Sequence, residues 1–440
     1  MTTSAASLGQ HLVLLRRESS VLIFGTGLSM LATIVALAIL VKTLPATSLG
    51  MLIVINTYPL LAHQVINLQS WQGFVRTAQN LVATNNRPEM RELLKFFFVI
   101  DLATTALAAG LAFVLAHPIA RALAWSPDWV EYLQLFALSL LLNFSSFSLG
   151  VLRLFKHYKW QAACALVNPL AQLGATIILA AIGAPITTYL WAWFAIALTG
   201  SVIQLAAAQH ILRKHGLSDW WRAPLRYFSA PLKFTFWVNV ATSLDASVKQ
   251  LDVLLVSTVV SLEAVPVYRF IKQAGVFLYR FADVFAQTSY SRLVELLADN
   301  QLRSALTVMR TVMLWIAPFA LAYLFLIMGT ASYWLEPLFN AAFAANGPEL
   351  YAYLAVAAVA VLFTPLHQLI YALGFVRLPA ATTALAVATF IFLSFKWGAA
   401  YGLMGFVGAI AVYNAIALLV KLVLLVIVSL RGSTARGSSI

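Results

Sequence analysis

Charge is what this sequence has least of. Only 10% of its 440 residues are Asp, Glu, Lys or Arg, while 62% are hydrophobic, against roughly 25% charged in an ordinary soluble domain. That balance excludes a water-soluble globular protein. Acidic residues are the scarcer sign, 15 against 28 basic, and none falls between Glu18 and Glu89. A membrane glycosyltransferase that needs an early external carboxylate, to hold a metal or act as base, has none to use. The single cysteine, Cys164, rules out a disulfide framework, a four-cysteine metal site and a CxxC redox pair. Gly25-Thr26-Gly27 begins a glycine motif, but Met30 stands where the third glycine belongs and no Gly-Lys-Ser/Thr follows. Neither a dinucleotide fingerprint nor a P-loop is therefore present. The histidines are scattered without HExxH, so no catalytic residues and no metal site or cofactor are expected.

What is present is a series of apolar runs of helix length, divided by Pro, Gly and charged clusters. They predict spans near 20–42, 48–70, 95–116, 133–152, 163–183 and 187–211, then near 234–258, 266–290, 308–335, 350–373, 378–397 and 403–429. The stretch after Arg16 and Arg17 is long enough to span, which favours a first helix over a signal peptide cleaved at Ala36-Leu37-Ala38. With the N-terminus inside, most of the 28 basic residues collect on one side, against only Lys42, Arg121 and Lys396 on the other. So strong a bias predicts cytoplasmic termini. It also explains the net charge of +13 without nucleic acid, whose groove would gather the charge on one element.

The chain also echoes itself. Leu40-Val41-Lys42-Thr43 recurs as Leu255-Val256-Ser257-Thr258, the turn at Gly183 is matched by Gly398, and Leu149-Gly150-Val151-Leu152-Arg153 by Leu373-Gly374-Phe375-Val376-Arg377. Three echoes in order suggest a duplicated six-helix unit. The expected fold is thus an all-α polytopic membrane protein of about 12 transmembrane helices in two six-helix lobes. Its expected divisions are a cytoplasmic N-terminus (1–19), a first lobe (20–211), a cytoplasmic connector (212–233), a second lobe (234–430) and a cytoplasmic tail (431–440). Trp220-Trp221-Arg222 in the connector reads as an interfacial anchor, and Pro169, Pro318 and Pro365 as breaks in spans five, nine and ten.

Charge inside a span costs at least ~2.5 kcal/mol per group at mid-helix and so marks candidate function. Span seven places Asp245, Lys249 and Asp252 on one face, where Lys249 can pair with either carboxylate. Span eight carries Arg269, Lys272, Arg280 and Asp283 in one net-positive stripe. Structural ion pairing accounts for the first group as well as function does. The second holds more cations than its one acid neutralises, which suits a visiting anion. Asp101 in span three can titrate or bind a coupling cation, or instead face cytoplasmic water or pair with Lys95. For Asn143, Asn168, Gln172, Asn239 and Asn414 the default reading is interhelical hydrogen bonding.

Several short segments resemble a known group. They are Leu49-Gly50, the turn Leu149-Gly150-Val151-Leu152-Arg153-Leu154-Phe155-Lys156, and Leu251-Asp252-Val253-Leu254-Leu255. Val267-Tyr268-Arg269 with Lys272-Gln273-Ala274, and Tyr401-Gly402-Leu403-Met404-Gly405, complete the set. Together they make the chain similar to the polysaccharide transport family, the O-antigen and lipid-linked oligosaccharide flippases of the multidrug/oligosaccharidyl-lipid/polysaccharide exporter superfamily. The resemblance implies two lobes around a central cavity in a bacterial inner membrane. It further implies a polyprenyl-pyrophosphate-linked glycan as substrate, with membrane lipids and a polysaccharide polymerase or assembly proteins as partners. Arg280, Lys272, Arg269 and Lys249 would then hold the anionic head group. Asp252, Asp245, Asp283 and Asp101 would be sensitive to a coupling H+ or Na+. Two alternatives stay open, a drug or small-cation exporter of the same superfamily and a non-transporting membrane subunit of a polysaccharide synthase.

Overall fold

The computed structural model describes residues 25, 27–68, 70–123, 125–298, 301–373, 375 and 377–437. Among them the regular structure is helical, with no strand. The chain divides at Leu254 into two compact units. The first contains α1 (Gly27–Thr43), α2 (Ala46–Ile66), α3 (Trp71–Ala83), α4 (Arg87–Ala122), α5 (Val130–Ser139), α6 (Ser145–Leu154), α7 (Tyr158–Ala181) and α8 (Ile186–Lys214). It also takes most of α9 (Ser229–Val259). The second follows with α10 (Ala264–Ala298), α11 (Leu302–Leu338), the short α12 (Ala341–Ala345), α13 (Gly347–Leu362), α14 (Thr364–Ala372) and α15 (Arg377–Gly437).

Eight helical segments among the described residues are long and apolar enough to cross a membrane, and α1 and Gln250–Val259 are shorter apolar helices. The protein is therefore an all-α, multi-pass membrane protein. Among the described residues each expected span coincides with helix, but the internal breaks differ; residues 1–24, with the expected N-terminal segment and the start of the first span, lie outside them. The span expected near 133–152 is divided, because a 3-10 turn at Leu140–Leu142 runs into the non-helical Asn143 and Phe144 before α6 starts. No proline or glycine marks this break in sequence. Conversely, α7 continues through Pro169 and α11 through Pro318. Only Pro365, at the start of α14, follows a real interruption.

The turn expected at Gly398 lies at Gly402 instead. Within α15 this is the one residue with non-helical backbone, at φ 58° and ψ −135°. Gly398 stays helical, and its missing side chain makes room for the Phe406 ring. Gly405 faces the backbone carbonyl of Trp397 across the bend, so the two halves of α15 approach as closely as main chains can.

One end of the first unit is an aromatic core that the sequence pattern did not disclose. Residues 71–83, which lie between two expected spans, form α3, which buries Phe74 and Ala78 against Phe97 of α4, Val151 of α6 and Leu212 of α8. Phe74 meets Phe97 edge to face, with centroids 5.6 Å apart. Trp220 is part of this core rather than an interfacial anchor. It is 6% exposed, packs on Phe98 and Phe147, and donates its indole N–H to Gln209 Oε1 at 2.9 Å. Trp221 does remain outside, under the Arg222 guanidinium.

The connector is strapped onto the first turns of α4. Arg91 pairs with Asp219 at 2.9 Å, and Lys95 donates to the Ala223 carbonyl at 2.6 Å. His215, just past α8, stacks on Phe155 with centroids 3.9 Å apart. Partial burial, then the neighbouring His157, lower its pKa, so the neutral ring is favoured.

The bend in α15 gives a direct test. Gly402→Ala forces a side chain into a positive-φ backbone conformation essentially confined to glycine, at about 1–3 kcal/mol, and Gly405→Ala drives a methyl into a main-chain carbonyl. Both variants should lower the thermal midpoint of the purified protein. Gly329→Ala, with nothing within 4 Å of the added carbon, should match or slightly exceed wild type.

Candidate functional site

The site grows from a problem of unsatisfied backbone. Three helix ends fall near one another inside the first unit, namely the end of α2 at Asn67, the start of α3 at Ser70 and Trp71, and the start of α6 after the break at Asn143. Helix termini carry unpaired N–H and C=O groups, and lipid offers them no partners. Asp101 of α4 supplies them. Fully buried, it accepts the Phe147 backbone N–H on Oδ2 at 2.9 Å, so its carboxylate lies at the N-terminus of α6, where the helix dipole favours negative charge. Its other oxygen accepts from Asn67 Nδ2 at 3.0 Å, and the same amide donates to Thr105 Oγ1 at 2.8 Å. Ser146 completes the junction by accepting the Trp71 N–H at 3.1 Å and sharing a 3.3 Å hydrogen bond with Ser70.

In front of this junction lies a cavity of about 490 Å³. α2 lines it with Asn56, His63, Gln64 and Asn67, one face of a helix at turn spacing. α7 adds Cys164, Asn168 and Gln172 at i, i+4 and i+8, and α8 adds Gly200, Ser201 and Gln204. The broken helix contributes Ser139, Asn143, Ser145 and Ser146, with Phe136 and Trp71 as aromatic wall. Gly200 is required here, because a side chain on it would collide with the Asn168 amide. Among the described residues, no Asp, Glu, Lys or Arg appears in the lining. Asn67 Oδ1 and His63 Nε2 are buried atoms with no hydrogen-bond partner among the described residues.

Of the residues singled out from sequence, Asp101 is thus the anchor behind the cavity. Its expected alternative partner Lys95 is engaged with Ala223 instead. Asn143, Asn168 and Gln172 line the cavity, whereas Asn414 only bonds back to the Ile410 carbonyl of its own helix. Asp252 of α9 is buried, and its Oδ1 accepts from the Val253 N–H at 2.7 Å. On α10, Lys272 is buried, Arg269 half-buried and Arg280 exposed. Asp245, Lys249, Asn239 and Asp283 lie on α9 and α10, but their side chains are outside the described residues. No group of three His, Cys, Asp or Glu suited to a metal ion occurs among the described residues.

The sequence reading missed Asn56, His63, Gln64 and Gln204. The available signal was the recurrence of amides at one-turn spacing on α2 and α7, which converges only when the helices are placed side by side. The Leu149–Lys156 segment gains a physical meaning as well. Leu149 lines the cavity, Gly150 lies where a side chain would meet the Phe74 ring at 2.8 Å, and the Arg153 guanidinium lies 4.0 Å from the centre of the Trp71 ring.

A family described as polysaccharide biosynthesis protein matches residues 64–333. No curated protein matches the sequence. Among solved structures, an inward-facing multidrug resistance MATE family transporter of the MOP superfamily is similar at 14% identity and TM-score 0.69, covering 93% of this chain and 96% of its own. The lipid II flippase MurJ in an inward closed conformation is similar at 13% identity and TM-score 0.69, covering 92% of this chain and 87% of its own. A MOP superfamily transporter from Pyrococcus furiosus is similar at 12% identity and TM-score 0.67, with 96% of each chain covered. These likenesses establish a shared fold.

The junction can be tested apart from function. Asn67→Ala leaves Asp101 and Thr105 short of a buried donor, at a cost of about 1–3 kcal/mol. It should lower the thermal midpoint clearly more than Thr105→Val, which leaves the Asn67–Asp101 bond in place.

Proposed function

The chain belongs to the polysaccharide biosynthesis protein family, and we propose that it is a flippase for a polyprenyl-pyrophosphate-linked oligosaccharide, working from the inner to the outer leaflet of a bacterial cytoplasmic membrane. The observation that carries this reading is a polar cavity inside a membrane bundle, uncharged among the described residues and lined mostly from the stretch that matches the family. A bundle gains nothing from lipid by surrounding a cavity with amides and hydroxyls, whereas a glycan crossing the bilayer needs such a lining. A drug or small-cation exporter would instead call for acid in the cavity. The lack of any nucleotide motif in the sequence supports an ion gradient, of H+ or Na+, as the energy source and alternating access as the mode of movement.

In this proposal the cations of the second half receive the pyrophosphate. Arg280 is the exposed member, Lys272 and Arg269 lie about two and three turns before it on α10, and Lys249 stands on α9. Asp252, Asp245 and Asp283 are the carboxylates that would exchange partners with them as the coupling ion binds and leaves. Asp101 is a fourth candidate, since loss of its charge would weaken its hold on α6. The reading assigns no covalent chemistry to the chain and places both termini in the cytoplasm. It makes the polymerase or assembly proteins that act on the delivered glycan the natural neighbours.

Deleting the gene and measuring surface glycan tests the proposal. The deletion should abolish export and leave lipid-linked glycan on the cytoplasmic side, and wild type should restore export. Arg280→Ala, at equal membrane abundance, should restore at most a tenth of it. Normal surface glycan in the deletion strain contradicts the flippase reading. Full restoration by Arg280→Ala contradicts the head-group assignment alone.

A further inference from the structure

The turn between α6 and α7 and the end of α8 are held together by their rings. His215 stacks on Phe155, His157 meets His215 edge to face with centroids 6.3 Å apart, and the Trp160 ring lies 5.7 Å from that of His210. This contact gathers Lys156, Lys159, Arg213 and Lys214, all exposed, around three histidines. None of the four cations has an ion pair among the described residues, and the carboxylates of the adjoining α4 and connector, Glu89, Glu92 and Asp219, are taken up by Arg226 and Arg91. We infer that this surface binds the phosphate head groups of anionic phospholipid and so fixes one end of the first unit in a leaflet. The inference stands apart from the flippase reading and from the cavity.

Two observations set this surface apart from a general surplus of basic residues in loops. Lys156 has φ 57°, left-handed backbone that resists a side chain. The same place after α3, α7 and α8 is taken by Asn85, Gly183 and Gly216, residue types that tolerate it. After α6 alone an ammonium is held there, which ending a helix does not require. The cations are also close enough to oppose one another. Burial first, and then Lys214 and His210, lower the pKa of His157, while burial and then His157 lower that of His215. An anion from outside the chain relieves this repulsion. Aromatic surface selects a lipid over a soluble anion, since Trp160, in the first turn of α7 beside Lys159, is 43% exposed. Tryptophan with lysine at the end of a spanning helix suits the head-group layer, where the ring meets acyl chain and the ammonium meets phosphate. Both α7 and α8 are long and apolar enough to span, so their joined ends fall at that depth.

The test titrates the full-length protein in detergent with phosphatidylglycerol or with zwitterionic phosphatidylcholine and measures bound lipid by native mass spectrometry. Wild type should prefer phosphatidylglycerol at least tenfold. Lys156→Gly removes the ammonium and suits the backbone, so the thermal midpoint should hold or rise while the preference falls roughly fivefold, the effect of one cation near an anionic surface. Lys159→Gln combined with Lys214→Gln, which touches no left-handed backbone, should abolish the preference. Arg303→Gln, which removes an exposed cation from α11, should leave it unchanged. Equal binding of the two lipids by wild type, or an undiminished preference in both the Lys156 variant and the double variant, overturns the inference. A loss with Arg303→Gln as large as with Lys156→Gly also overturns it, because binding would then follow net charge. Displacement of phosphatidylglycerol by excess inorganic phosphate overturns the choice of a lipid and makes the ligand a soluble anion.

Discussion

Backbone polarity inside a bilayer is the constraint from which the first unit takes its shape. Helices that end where water is absent must find hydrogen-bond partners within the protein. Here one carboxylate and its neighbours serve three ends at once. Asp101 accepts the first-turn N–H of α6 and is steadied by Asn67, which itself closes α2. Ser146 returns the favour to α3. A buried acid is costly unless its oxygens are satisfied, and in this junction both accept hydrogen bonds. The break in α5–α6 is therefore sustained by a residue on another helix.

The cavity depends on that break. A continuous helix through residues 139–146 would set its side chains at regular spacing around one axis. The interruption instead directs Ser139, Asn143, Ser145 and Ser146 to one wall. Opposite them α7 and α8 approach closely, and Gly200 gives the Asn168 amide its place. Rigidity around the cavity comes from the aromatic core, where α3, α4, α6 and α8 are joined through Phe74, Phe97 and Trp220. The strap from Asp219 to Ala223 along α4 fastens the same region from outside.

Much of the fold was legible because membrane helices advertise themselves through apolar length, which survives any uncertainty about partners. Local exceptions were less so. Gly402 and Gly398 look alike in sequence, yet Gly402 bends while Gly398 stays helical against Phe406. Pro169 and Pro318 were read as breaks, yet their helices continue, whereas Asn143 and Phe144 break a span without any proline. Trp220 was grouped in sequence with Trp221 and Arg222, which are exposed while it is buried. For the site, intramembrane charge was conspicuous and drew attention to α9 and α10. Among the described residues the cavity of the first unit is uncharged, and its amides, spread over residues 56–204, become a site only when four helices converge. Asp101 stood out in sequence, but its partners Asn67 and Phe147 lie 34 and 46 positions away.

The most direct test of the central claim is movement itself. The purified protein would be reconstituted into sealed liposomes with a fluorescently labelled lipid-linked glycan, and the access of an impermeant quencher followed over time with and without an imposed H+ or Na+ gradient. The account predicts protein-dependent transfer of the label between leaflets, faster under one of the gradients and absent from empty liposomes. Transfer no faster than in empty liposomes, under either gradient and with protein that still binds the glycan-bearing lipid, would contradict it.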